Sequence, residues 1–108
     1  MKPSQLDALW GAMLDRADLD VVRQVLVLTI RVTSSAGNTV HTLECSGLLE
    51  LRFFNSIPSP WEYAEVTEIH ASATPSGAHQ IDIVLWSEEA GLVVIAETIR
   101  LDGDHIVG

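Results

Sequence analysis

From Ser46 onward Leu49, Leu51 and Phe53 are interleaved with Glu50 and Arg52, the two-residue period of a strand with one apolar side. Phe54 interrupts the alternation. Ser59-Pro60-Trp61-Glu62 then offers a cap, a proline at the first helical position and a glutamate that can reach back to the cap. The pattern predicts a short helical turn from Pro60 to Glu65, after which Val66, Thr67 and Ile69 favour a strand. Nearer the N-terminus, Leu6, Leu9, Trp10, Met13, Leu14 and Ala17 follow Ser4 at spacings of three and four, which predicts an amphipathic helix over Pro3 to Arg16. Ser4 is its expected cap, Asp7 suits its first turn, and Gly11 weakens its middle.

Between these segments, Val21 to Thr33 reads as a long strand with Leu26, Leu28, Ile30 and Val32 on one side and Val25 and Val27 on the other. Turn residues from Ser34 to Asn38 join it to a strand over Thr39 to Cys45 as an antiparallel hairpin. Thr74-Pro75-Ser76-Gly77 leads into Gln80 to Trp86, where Ile81, Ile83 and Leu85 alternate with other residues. Ser87 to Gly91 leads into Leu92 to Leu101, with Val93, Ile95, Ile99 and Leu101 expected on one side. The expected architecture is α+β: one domain over residues 1–108, with the N-terminal helix packed on a curved antiparallel sheet of about six strands ordered as a meander. Such a sheet could also curl into a partial barrel.

The chain has 108 residues, 47% of them hydrophobic, enough to close a core without disulfides or metal. The lone Cys45 has no internal disulfide partner and fits a reducing, cytoplasmic setting. No apolar run nears the roughly 20 residues of a membrane helix, so no membrane role is expected. Fifteen acidic residues against six basic ones give a formal charge of −9. That balance opposes contact with nucleic-acid phosphate; it serves solubility in the commoner case and otherwise suits a basic protein partner.

Searching for chemistry yields little. Glu68 and His70 would share a strand face, with His79 across a hairpin, but they lack an assured third ligand and read as solvated side chains. Leu101-Asp102-Gly103-Asp104-His105 holds only half of a calcium loop and reads as a turn. His41 and Cys45 share a strand side but lie roughly 13 Å apart at about 3.3 Å per residue, too far to act as base and nucleophile. No catalytic site, cofactor or metal is therefore expected. Trp61 and Tyr63, flanked by Glu62, Glu65 and Glu68, form the candidate partner-binding set, because aromatic anchors beside carboxylates suit a basic surface. The plainer alternative has Trp61 plugging the end of the sheet and Tyr63 at its rim.

The run Pro60-Trp61-Glu62-Tyr63-Ala64-Glu65-Val66-Thr67-Glu68-Ile69-His70 resembles one found in small acidic bacterial proteins, some of which are similar to immunity proteins of polymorphic toxin systems. The likeness covers Leu48 to Arg100: an apolar strand, a Pro-Trp-x-Tyr-x-Glu turn and two closing strands. It implies a cytoplasmic, non-enzymatic protein that neutralises a toxin by tight binding. Two other readings stand beside it: a small-molecule-binding or metal-assisted enzyme in a curved-sheet pocket, and a structural homodimer formed through an edge strand or the Val21 to Val27 face.

Overall fold

The computed structural model describes residues 5–56, 60–86 and 89–106. After a 3-10 helix at Gln5–Leu9, the chain forms β1 (Met13–Asp20), β2 (Val25–Ser34), β3 (Gly37–Asn55), β4 (Val66–Ala73), β5 (His79–Leu85), β6 (Ala90–Leu101) and β7 (Asp104–His105). All neighbours are antiparallel. They lie in the order β1-β2-β3-β6-β5-β4, with β7 against the end of β6. The sheet is not a meander, because β3 pairs with β6 rather than β4, and β4 lies at the far edge.

The two outer strands then meet. Gly11 N–H donates to Val66 C=O at 2.6 Å, Val66 N–H to Ala12 C=O at 2.7 Å and Leu14 N–H to Ala64 C=O at 2.7 Å, beside a bridge between Met13 and Glu65. These bonds curl the sheet into a barrel fastened along a short seam. No α-helix forms among the described residues, and none is long and apolar enough to cross a membrane.

This overturns the α+β expectation, and the reasons are local. Gly11 has φ 83°, a left-handed conformation that ends the 3-10 helix and turns the chain into β1. Leu6 and Leu9, three residues apart, serve the three-residue period of a 3-10 turn as well as an α-helical stripe, and both are buried. Met13 to Asp20 is worth more as a strand, since it pairs with β2 along its whole length and reaches β4 at its start. The helical turn expected at 60–65 is absent as well. Ala64 and Glu65 spend their backbone groups on β1 and Trp86, bonds that a helix would have consumed internally. The caps proposed at Ser4 and Ser59 fall outside the described residues.

β3 shapes the molecule. At about 3.3 Å per residue a straight strand of its length would run roughly 60 Å. The longest dimension of the protein is 36 Å, so this 19-residue strand must bend. Gly47, at φ 63°, and a register shift between Leu48 and Glu50 supply the bend. Before it, Leu43 and Cys45 face the core; after it, Leu48 and Leu51 pack against the core and Leu49 is turned out, 59% exposed.

The barrel interior is filled. Leu26, Leu28 and Ile30 of β2, Ile81, Ile83 and Leu85 of β5, and Leu92, Val94, Ala96 and Ile99 of β6 form one cluster with Leu6, Leu9 and Ile106. In β6 the inward row is therefore Leu92 and Val94, not Val93 and Ile95 as alternation alone predicted; Ile99 is inward as expected.

Candidate functional site: an aromatic groove at the barrel corner

Where β3 ends beside the start of β1, an open groove of about 590 Å³ runs between Leu14, Asp15, Arg31, Phe53, Asn55 and residues 60–64. Its aromatic wall is built by two elements. The bend in β3 carries Phe53 to the corner, and the connection after β3 returns Trp61 against it, with ring centroids 6.2 Å apart at 54°. Trp61 also packs on the core, while Phe53 and Tyr63 are 59% and 55% exposed. Trp61 is thus packed at the end of the barrel and Tyr63 stands exposed at the rim of the groove.

The opposite wall is electrostatically spent. A register shift between Leu14 and Arg16 makes Asp15 an extra residue on β1. It accepts bonds from Arg31 Nε at 3.0 Å and Nη2 at 3.3 Å, a two-pronged pair that raises the Arg31 pKa above its ordinary value.

The same matching holds for the other arginines: Arg16 with Asp18 at 2.9 Å, Arg23 with Asp20 at 3.9 Å, Arg52 with Glu50 at 3.4 Å and Arg100 with Glu44 at 4.0 Å. Among the described residues the excess negative charge is thereby left on groups such as Asp7, Glu62, Glu65, Glu97 and Asp104, which have no cationic partner. Glu62 lines the groove beside the aromatic wall. A second hollow, of about 370 Å³, has Val25 and Val27 among its lining residues, but its Asp18, Asp20 and Glu44 are each matched to an arginine.

The five candidate residues are not brought together as one patch. Trp61, Glu62 and Tyr63 line the groove, whereas Glu65 and Glu68 do not. Glu65 forms part of the seam, its carbonyl accepting the Trp86 N–H at 2.8 Å. Glu68 faces His70, 3.4 Å away on β4, and Trp10 stands edge-on to the same imidazole at 5.3 Å. His79 belongs to neither group. The register places it opposite Ala73 and Ala96, in the inward row of Ile81 and Ile83, while His70 stands opposite Asp82. Among the described residues no three His, Cys, Asp or Glu side chains are close enough to hold a metal ion.

One polar contact escaped the sequence. Asp102, in a left-handed turn at φ 51°, places Oδ2 2.6 Å from His41 Nδ1 and accepts the Thr42 N–H on Oδ1 at 2.9 Å. Desolvation pushes the Asp102 carboxyl up, but the His41 hydrogen bond, the Thr42 N–H and the attraction of His41 outweigh it and leave the pKa lowered. The two side chains are 61 residues apart, with no local signal linking them. The pair clasps the end of β6 to β3. Cys45 is not poised as a nucleophile, since it is fully buried and desolvation, with a smaller push from Glu44, raises its thiol to about 12.

No family model matches the chain, and no curated protein sequence does. Among solved structures it is similar to an uncharacterized protein from Neisseria gonorrhoeae, with a TM-score of 0.64 and 15% identity over 86% of this chain and 91% of that one. At that identity the likeness is one of fold.

Proposed function

We propose that this protein is a non-enzymatic binding module that engages a basic protein partner at the Phe53, Trp61 and Tyr63 groove, in the manner of an immunity protein that neutralises by occupation. The observation that carries this reading is the charge distribution. Every arginine is already matched to a carboxylate, so the surplus acid beside the aromatic wall, Glu62, has no cationic partner among the described residues. Aromatic rings supply contact area at low entropic cost, and an unpaired carboxylate at the rim steers and selects a cation. A reducing, cytoplasmic setting belongs to the same reading, on the ground that Cys45 is a buried free thiol.

The enzyme alternative calls for a deep pocket gathering His70, His79 and acidic groups. Against it stand a barrel interior packed with aliphatic side chains and imidazoles that lie on different faces.

The test is co-purification with the products of adjacent genes, comparing the wild type with Trp61→Ala and Glu62→Lys. Capture of a basic protein, weakened at least about tenfold by either substitution, is the expected result. A captured partner that is acidic, or binding that both variants leave intact, would refute the assignment.

A further inference from the structure

Beside the groove, at Leu51 and Phe53, β3 has an edge that no described strand pairs. β2 covers β3 only as far as Ser46, and the last bond on that side is from Leu48 N–H to Gln24 C=O at 2.9 Å. On the other side, Ser56 N–H donates to Glu89 C=O at 3.1 Å, continuing the register that sets Asn55 opposite Ala90 and Phe54 opposite Gly91. Bonded pairs alternate along an antiparallel ladder, so the peptide groups of Phe54 and Arg52 point at β6 and those of Phe53 and Leu51 point away from it. The side chain of Leu51 packs on the core and that of Phe53 lines the groove. An open row of backbone donors and acceptors therefore borders the aromatic wall.

The other exposed edges are defended. β1 past Leu14 carries Asp15, Arg16, Asp18 and Asp20, charges that discourage strand pairing. On β4, Trp10 Nε1 donates to the Ile69 carbonyl at 3.2 Å and covers part of the edge. On β3 the nearby charges, Glu50 and Arg52, are matched to each other at 3.4 Å, and Phe53 between them and the strand end lines the recess.

We infer that the partner enters this groove as an extended basic segment and adds a strand to β3 at Leu51 and Phe53, its alternate side chains meeting Phe53, Trp61 and Glu62. Main-chain bonds would supply affinity and the groove would supply selectivity. This rests on the reading of the groove as a site for a basic partner and adds the mode of entry. Charge argues for a cationic occupant over a second copy of the chain, since a copy would bring another net −9 to the same corner.

The probe is an end-blocked hexapeptide of alternating lysine and valine, with a twin made in two registers, N-methylated on one or the other set of alternate backbone nitrogens so that one edge cannot donate. In the free protein the Leu51 and Phe53 amides should exchange with solvent faster than those of Arg52 and Phe54. The parent peptide should slow Leu51 and Phe53 at least about tenfold, and the better-bound of the two methylation registers should still bind at least about tenfold more weakly than the parent. Equal binding of parent and twin, or unchanged exchange at those amides, overturns strand addition. So does absence of binding at millimolar peptide, or a dimer in sedimentation whose Leu51 and Phe53 amides are protected without peptide. Glu62→Lys separates the two levels: if it weakens parent and twin alike while the twin binds as well as the parent, the basic-partner groove stands and only the mode of entry fails. If it changes neither, the groove assignment itself fails.

Discussion

Gly47→Ala is expected to destabilise the protein by about 1 to 4.5 kcal/mol, because two separate constraints meet at the bend of β3. The first is conformational: φ is 63° at Gly47, and an L-residue held there costs about 1–2 kcal/mol. The second is steric. A Cβ at position 47 would lie 2.9 Å from Glu97 Cβ and 3.0 Å from its Cγ and Cδ. The outer atoms of the exposed Glu97 can swing aside, but its Cβ is fixed to β6, so one strand must shift, at a cost of about 1–3 kcal/mol for overpacking. Reduced freedom of the unfolded chain returns about 0.4–1 kcal/mol. Urea unfolding followed by the fluorescence of Trp10, Trp61 and Trp86 would read the change as a shift in midpoint at constant slope. Gly47→Asn keeps the steric part but tolerates the left-handed backbone, so it should fall between wild type and alanine. A Gly47→Ala variant within about 0.5 kcal/mol of wild type would show that β3 does not need this conformation to bend.

Cys45 makes an alkaline prediction. Its folded pKa is raised to about 12 from an ordinary 9.0, so its contribution is fully present below pH 9 and is lost as pH rises toward 12. Relative to Cys45→Ala, wild-type stability in urea should fall by roughly 1.4 kcal/mol per pH unit over that window; a flat difference would contradict the burial argument. Asp102 gives the opposite sign. Its carboxyl is held below the ordinary 3.8, so the benefit is present above that pH and disappears as pH falls through the folded value. Asp102→Asn should cost about 0.5–1 kcal/mol at neutral pH, in line with a half-exposed pair, with the gap closing in acid; a gap that persists in acid would assign the effect to packing.

Strand periodicity is legible in the spacing of the aliphatic residues of β2 and β5. Leu26, Leu28 and Ile30, and Ile81, Ile83 and Leu85, share one side of their strands by spacing, and that side is buried. The method failed where both faces are apolar: in β6, Val93 and Ile95 are as hydrophobic as Leu92 and Val94, and the small Gly91, with the Phe54 ring lying where a Cβ would come within 2.7 Å, is what fits the pairing. It failed again at the N-terminus, where a spacing of three served a 3-10 turn and the residues beyond Gly11 gained more from a strand partner than from a helix. At the groove, Trp61, Tyr63 and Glu62 could be picked out from chemistry, whereas Phe53, Asp15 and Arg31 could not. Their meeting depends on the bend in β3 and on a strand order that no local pattern encodes.

The closure between β1 and β4 is brief, and both strands remain anchored to other neighbours when it parts. Fluctuation should accordingly concentrate there: the clasp can unlatch and let the segment bearing Leu6 and Leu9 swing out while the β2–β3 and β5–β6 hairpins stay assembled. The molecule thus carries a hinged stopper, and its earliest route to exposing sticky interior is loss of that stopper rather than dissolution of the walls.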